Sequence, residues 1–505
     1  MLIEALLAVT FLSALCVLAA PDEWASRLGS VLSLLPLGGA LYLYSTYDGA
    51  GNALLQSGSP AFETNIDWFS FGSYVMHWHV GLDGISLPLV VLTTVLTTIA
   101  MVSAWTTIED RQSQFYALLL FTEASLVGVF SALDFFVWFV FWEFVLVPMY
   151  LLIAVWGGPR RAYAGIKFFV YTNVASLVLF IGFMLVVFAS PVQTLDLAAV
   201  AAAVRGGEIQ SLYGVSANTI TTAAFLALLF GFAVKTALVP VHTWLPDAYT
   251  EAPTPVVVVL AGVVTKMGTY SLLRFNVTMF PETTRDFAPL LGVLAVVTVL
   301  YGAIVAVSQQ DIKRIVAYTS IPSMGFVLLG LVTYTQYGLS GATFQMVSHG
   351  LLIAVLFLAV GAIERSTGTR MVDKISGVAS EMPVTASVFV AGAFGYMGLP
   401  LMSGFAAEFF VFTGSFRAEY ANAPLITAVA MFGIVVIAGY LLWTMQRVLF
   451  GPLRVDTDAS VREVARSDLA PAVVLVLLAV ALGVAPDLFM QMIQDSLTSI
   501  LGGGV

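Results

Sequence analysis

Apolar runs of 18 or more residues recur along this chain, separated by short polar breaks. A run of that length spans the hydrocarbon core of a bilayer as a helix. Hydrocarbon offers a backbone no hydrogen bonds, so only helices or closed barrels can occupy it. The runs fall at 2–20, 29–47, 82–106, 113–132, 135–155, 163–189, 219–244, 253–277, 287–308, 312–333, 338–363, 383–413, 423–449 and 468–500. They predict an all-α polytopic membrane protein of about fourteen transmembrane helices. Of the 505 residues, 59% are hydrophobic and 10% charged, and the mean hydropathy is +0.96. A water-soluble fold of this size could not hide that much apolar surface. The formal net charge is −10. No basic surface is on offer for nucleic acid. A single cysteine, Cys16, excludes an internal disulfide, a cysteine zinc site and an iron–sulfur cluster. Four histidines, His77, His79, His242 and His349, leave little for haem or metal chemistry.

Residues 2–20 lack the positive charge that precedes a signal peptide's apolar run, and Leu18 does not suit a small-residue cleavage pattern. They read as a retained first span. Residues 48–81 and 190–218 read as long loops, and the polar segment 364–382 as a crossing between two halves. Lys and Arg mark the cytoplasmic side. With alternating helices, one side collects thirteen of them (Arg27, Arg111, Arg160, Arg161, Lys313, Arg314, Arg365, Arg370, Lys374, Arg447, Arg454, Arg462 and Arg466). The other has Arg205, Arg274, Arg285 and Arg417. That bias places both termini outside the cytoplasm. It also isolates Lys167, Lys235 and Lys266 at membrane depth.

A charge at the centre of a membrane helix costs roughly 2.5–3.5 kcal/mol on insertion scales. Residues kept at that cost are paired, hydrated or functional. The fifth run holds Glu143, the seventh Lys235, the eighth Lys266, the eleventh His349 and the twelfth Glu408. A series of carboxylates, lysines and an imidazole can pass protons through side chains and water. Glu123, nearer the interface, and Lys167, one turn into the sixth run, are secondary candidates. Plainer readings stand beside these. Lys167 can snorkel to the surface. Glu143 and Lys235 can form a static ion pair. His349 can be a core histidine bonded to a backbone carbonyl. His77 and His79 flank Trp78 and read as an interfacial belt rather than a ligand pair.

Lys235 lies five residues before Pro240, and Glu408 eight residues after Pro400. A proline inside a span removes a helix hydrogen bond. Paired interruptions point to a transporter built from repeats. The chain divides into N-terminal helices (1–112), a five-helix unit (113–277), an inverted five-helix unit (287–449) and a C-terminal helix (450–505), with the seventh and twelfth spans broken. No nucleotide-binding loop or nucleophile elbow appears. Gly38–Gly39 and the terminal Gly502, Gly503 and Gly504 read as helix and tail glycines. The chain itself carries no redox site.

Nine motifs in order resemble the antiporter-like membrane subunits of respiratory complex I, over residues 80 to 490. They are GLDGIS (81–86), FWEFVLVPMY (141–150), KFFVYT (167–172), VKTALVPVHTWLPDAYTEAPT (234–254), LAGVVTKMGTY (260–270), QQDIKRIVAYTS (309–320), SHG (348–350), GLPLMSGFAAEF (398–409) and RVLFGP (447–452). The resemblance is nearest to the M-type, chain 4 branch, which has Glu where sister subunits usually have Lys at the position of Glu408. It implies a proton path through Glu143, Lys235, Lys266, His349 and Glu408, with Glu143 and Lys235 as a coupled pair, Lys266 as central relay and Glu408 on the exit side. His242 falls within the longest motif and joins the secondary candidates. Ser323 stands where the family commonly has histidine, and a water on Ser323 would replace that relay.

The resemblance also implies a subunit of a proton-translocating NADH-quinone oxidoreductase in the plasma membrane. Its partners would be the sister membrane-arm subunits, the lipid bilayer and protons. It implies no cofactor in this chain, with FMN, iron–sulfur clusters and quinone in partner subunits. Two other readings remain: a subunit of a multi-subunit sodium/proton antiporter, and a helical scaffold whose charges only hold neighbours in register. Glu408 favours the dehydrogenase over the antiporter.

Overall fold

A computed structural model describes residues 1–49, 51–58, 60–457 and 460–502; Gly503 and Gly504 lie outside the described residues. Helices dominate. α1 (Leu2–Leu18) and α2 (Asp22–Ser45) precede a β-hairpin of β1 (Ala61–Phe71) and β2 (Tyr74–Leu82). Then come α3 (Leu87–Ser103), α4 (Gln112–Ser131), α5 (Phe135–Trp156), α6 (Arg161–Ala189), the short α7 (Leu197–Arg205), α8 (Ala217–Thr236) and α9 (Trp244–Glu251). The eighth span is one rod, Thr254–Val277, assembled from α10 (Thr254–Val259), a π-helical segment (Leu260–Val264), α11 (Thr265–Ser271) and a second π segment (Leu272–Val277). α12 (Pro281–Val307), α13 (Ile312–Leu331) and α14 (Gln336–Thr367) follow. A two-residue strand β3 (Ile375–Ser376) lies in the crossing segment. Beyond it are α15 (Pro383–Tyr396), α16 (Ser403–Phe416), α17 (Ala423–Leu449), β4 (Arg454–Val455), α18 (Arg466–Val484) and α19 (Asp487–Leu497).

Among the described residues, eleven helices are long and apolar enough to cross a membrane. The apolar helices α1, α3 and α15 are shorter, at 17, 17 and 14 residues. The rod Thr254–Val277 and α14 lie at the centre, buried along their apolar length. The outer helices turn one face to lipid. α12, for example, exposes Leu290, Val293, Val297, Tyr301 and Ile304, a 3–4 residue repeat.

Three expectations need correction. The loop 48–81 is not structureless: β1 pairs with β2 antiparallel, from Ala61 opposite Leu82 to Phe71 opposite Tyr74. The helical fold therefore carries a β-hairpin in the connection between α2 and α3. Neither strand alternates cleanly between buried and exposed positions, and the hairpin follows a glycine- and serine-rich stretch, so the sequence offers no clear strand period. The loop 190–218 contains α7, whose N-cap Asp196 accepts from the backbone N–H of Ala199 at 2.9 Å. The run 468–500 is not one helix. It ends at Val484, and Pro486 starts the separate α19, since proline cannot continue a helix by hydrogen bonding.

The crossing segment does join distant parts. Arg370 Nε meets Asp311 at 2.6 Å, and its Nη1 donates to the carbonyl of Thr250 at 3.2 Å. Gly368, at φ +69, ends α14 in the left-handed conformation that lets the chain turn away.

At the opposite end a buried ion pair fixes the GLDGIS motif to the eighth span. Arg274 Nη2 bonds Asp83, and both side chains are almost fully buried. Asp83 also accepts from the backbone N–H groups of Ala53 and Ile85, each at 3.0 Å. Removing one partner of such a pair strands the other and costs about 3–5 kcal/mol. Arg274→Met is expected to lower the thermal unfolding midpoint in detergent and the yield from membranes. Adding Asp83→Asn, which removes the stranded charge and keeps an acceptor, should recover part of the loss. A single variant as stable as the parent would show that the pair contributes no net stability.

Candidate functional site

Both proline-marked spans are broken. The seventh runs as α8, turns at 237–243, and restarts as α9. Ala237 takes a left-handed conformation at φ 63. Protein groups satisfy the opened backbone: Trp244 Nε1 donates to Val234 O at 2.8 Å, and Val239 N–H donates to Thr298 Oγ1 at 3.3 Å. Lys235 lies in the last turn of α8, immediately before the break. Its Nζ stands 5.3 Å from the centre of the Trp142 indole and 5.5 Å from that of the Phe168 ring, within cation–π range. Glu143, next to Trp142 on α5, is within Coulombic reach. No described ion pair joins the two, and Glu143 Oε1 is buried without a partner. A static Glu143–Lys235 salt bridge is therefore not the arrangement found.

Lys266 is wholly buried. Its Nζ donates to Ala261 O at 2.5 Å, five residues back, and contacts His349 Nδ1. Ala261 belongs to the π segment Leu260–Val264, where the widened turn displaces carbonyls from regular i→i−4 pairing. The segment thus gives the lysine an acceptor from its own helix. His349 comes from α14, 83 residues away in sequence. The helices approach closely enough only because glycine is present: a Cβ on Gly350 would lie 2.7 Å from Gly262 O. The backbone-carbonyl reading of His349 does not match, since Nδ1 faces Lys266 and Nε2 is buried without a partner.

The twelfth span breaks between Tyr396 and Ser403. Ser348, beside His349, donates to Ser403 Oγ at 2.8 Å and ties α14 to the restart. Glu408 lies on α16, and its Oε2 is directed at Gly398 in the break. A Cβ there would come within 2.7 Å of that oxygen, and φ is +68. Glycine is needed on both counts.

The secondary candidates divide. Lys167 does not snorkel freely: its Nζ pairs with Asp247 at 2.8 Å, and Arg314 reaches the same carboxylate at 2.9 Å. That clasp holds α9 to α6 and α13. The sequence reading missed Asp247, whose signal was a carboxylate directly after the break in LPDA. Glu123 is fully buried inside the protein, and both carboxylate oxygens lack a partner. His242 lies in the break of the seventh span, edge-on to Tyr301 with centroids 4.9 Å apart. Ser323 is buried on α13 and faces Tyr396, a residue not anticipated.

His79 is buried between two carboxylates: its Nδ1 meets Asp196 at 2.5 Å and its Nε2 meets Glu63 at 2.9 Å. Burial alone would disfavour its charged form, but the two carboxylates outweigh this and raise its pKa above the usual histidine value. His77 pairs with the exposed Asp67 at 3.1 Å.

Residues 132–435 match the family described as NADH:quinone oxidoreductase/Mrp antiporter, transmembrane region. The F(420)H(2) dehydrogenase subunit M of Methanosarcina mazei is 35% identical over 485 residues, covering 95% of this chain and 93% of that one. A NAD(P)H-quinone oxidoreductase chain 4 of a Synechococcus species is 42% identical over 379 residues, 74% of this chain and 69% of its own length. Among solved structures, a chain of respiratory complex I from Thermus thermophilus with bound NADH superposes with a TM-score of 0.85 at 26% identity, with both chains fully covered. A chain of the Mrp complex from a Dietzia species superposes at 0.83 with 22% identity, over 99% of this chain and 97% of that one, a likeness of fold.

The Gly262–Gly350 approach makes a direct prediction. Gly350→Ala puts a methyl against backbone that cannot fold away, and such overpacking costs about 1–3 kcal/mol. The two helices are expected to separate and open the Lys266–His349 contact. A cryo-EM structure of the variant with that contact unchanged would refute the argument.

Proposed function

We infer that this chain, which belongs to the NADH:quinone oxidoreductase/Mrp antiporter family, is a proton-translocating membrane-arm subunit of a complex I-type dehydrogenase. The observation that carries the reading is the interior line of Glu143, Lys235, Lys266, His349 and Glu408, set beside two helix breaks and a π segment. The dehydrogenase subunits matched at 35% and 42% identity favour it over the sodium/proton antiporter reading. The scaffold reading fits poorly with carboxylate oxygens buried without partners at Glu123 and Glu143.

On this reading the electron chemistry takes place elsewhere. FMN, iron–sulfur clusters and quinone belong to partner subunits, and this chain neighbours sister antiporter-like subunits in a cell membrane. We assign it fourteen spans in two inverted five-helix units, 113–277 and 287–449, with both termini on the extracytoplasmic side. The Lys and Arg bias and the paired breaks support that assignment.

Each residue has a distinct task. Glu143 governs the charge of Lys235 across the Trp142 edge. Lys235 hands its proton toward Lys266. Lys266 shares a proton with His349 across the seam of the two units. Glu408 receives it and releases it outward. Water between these groups completes the path.

Lys235→Ala tests the first half. Moving a proton through the gap with no side chain to hold it adds at least ~2.5 kcal/mol, a rate loss of roughly seventyfold or more. Proton pumping in vesicles with equal amounts of assembled complex should fall accordingly. Parental pumping per electron in the assembled variant would remove Lys235 from the path.

Glu408 tests the second half. Glu408→Gln keeps the shape but cannot cycle a proton and should abolish most pumping. Glu408→Lys restores an ionisable group and should keep part of it. Undiminished pumping by the Gln variant would mean that the path leaves the membrane elsewhere.

A further inference from the structure

One gap on this path has no assigned group: the step from the Lys266–His349 pair to Glu408. Lys266 occupies Nδ1 of His349, and Nε2 is buried without a hydrogen-bond partner. The Tyr396 hydroxyl is also buried without a partner. Buried polar atoms are usually paired, so two orphans on touching side chains call for explanation. The Tyr396 ring stands edge-on to the imidazole, with centroids 5.7 Å apart and an interplanar angle of 75°. Tyr396 is the last residue of α15, where the twelfth span breaks, and Glu408 lies on α16 beyond the break. Ser323 faces the Tyr396 hydroxyl, and Glu408, Tyr249 and Tyr440 lie within Coulombic reach of it. Tyr440 is committed to Thr319 Oγ1 at 3.0 Å, and Tyr249 to Leu260 O at 3.5 Å.

We propose that Tyr396 is a relay residue whose hydroxyl, directly or through one water held by Ser323, carries the proton from His349 Nε2 to the Glu408 carboxylate. The proposal rests on the proton-translocating reading above. The contact with Lys266 sets the starting tautomer: an ammonium donating to Nδ1 leaves the ring hydrogen on Nε2. In the transfer, Lys266 Nζ gives a proton to Nδ1, Nε2 gives its hydrogen to the phenol oxygen, and the phenol gives its own hydrogen to Glu408. Lys266 ends neutral, Glu408 ends protonated, and imidazole and phenol carry no net charge before or after. A phenol suits this because one oxygen both accepts and donates. A residue that only filled this space would be better as phenylalanine, because an unpaired buried hydroxyl destabilises a fold.

Tyr396→Phe keeps the ring and removes the hydroxyl. In vesicles holding equal amounts of assembled complex it is expected to pump about tenfold more slowly or worse, as for the loss of a hydrogen bond to a charged group. Adding Ser323→His, which offers an imidazole at the same place, should restore part of the rate. Parental pumping by Tyr396→Phe overturns the relay. Lys266→Ala in the same vesicles separates the two claims. If it pumps like the parent, the proton-translocating reading itself fails. If it is inactive while Tyr396→Phe is parental, only the Tyr396 assignment fails. A high-resolution map of the parental complex tests the relay without any variant: it should show the Tyr396 oxygen bonded, directly or through an ordered water, toward both His349 Nε2 and Glu408. A hydroxyl dry on both sides overturns the proposal.

Discussion

Hydrocarbon cannot solvate a charge or an open backbone, and most of the interior is arranged around that constraint. Two of the lysines at depth, Lys235 and Lys266, lie at departures from regular helix. Lys235 stands in the last turn of α8, at the break over 237–243. Lys266 has Ala261 O in a π segment of its own helix. The breaks carry their own costs, which protein groups offset: the Trp244 indole on Val234 O, and Thr298 on Val239 N–H. A regular helix in place of the π segment would strip the Lys266 ammonium of its Ala261 acceptor, and its burial would then cost several kcal/mol.

The charge-bearing residues were visible in sequence because a lysine or glutamate inside an apolar run has few ordinary explanations. Pro240 and Pro400 marked the breaks for a similar reason. What remained hidden depends on geometry that leaves no local trace. The π segments read as ordinary apolar helix, since LAGVV differs in nothing obvious from its neighbours. The meeting of Lys266 with His349 needs Gly350 to lie against the Gly262 backbone of a different span. Tyr396 looked like one more aromatic residue in an apolar stretch. The hairpin at 61–82 was hidden because its strands do not alternate cleanly between buried and exposed positions. Asp247 was passed over because a single carboxylate at a span boundary is common, and its role as a clasp emerges only when Lys167 and Arg314 converge on it.

The two halves of the interior solve the problem of a mobile charge differently. In the first, Lys235 is flanked by the Trp142 and Phe168 rings, which attract a cation without fixing its direction. An ammonium held this way can turn toward either neighbour. In the second, hydroxyls and an imidazole replace the aromatic faces, and each has a defined donor or acceptor direction. Ser348 and Ser403 lock α14 to α16 beside His349, so the imidazole is presented by a fixed frame. On the proposed path, flexibility therefore lies where the proton would be taken up, and direction where it would be handed on.

The Lys266–His349 contact between them behaves as a one-proton device on the proposed path. Two positive charges about 4 Å apart repel by about 4 kcal/mol at an effective dielectric constant near 20. Moving one charge against ~100 mV costs about 2.3 kcal/mol. The repulsion is the larger quantity. A second proton arriving from Lys235 cannot rest on the pair alongside the first, and their repulsion exceeds the opposing membrane term. The proton already held must leave, and the side that offers it an acceptor is the one with Glu408. Proximity of two basic groups in a dry interior would then convert arrival at one end into release at the other, without a large movement of any helix.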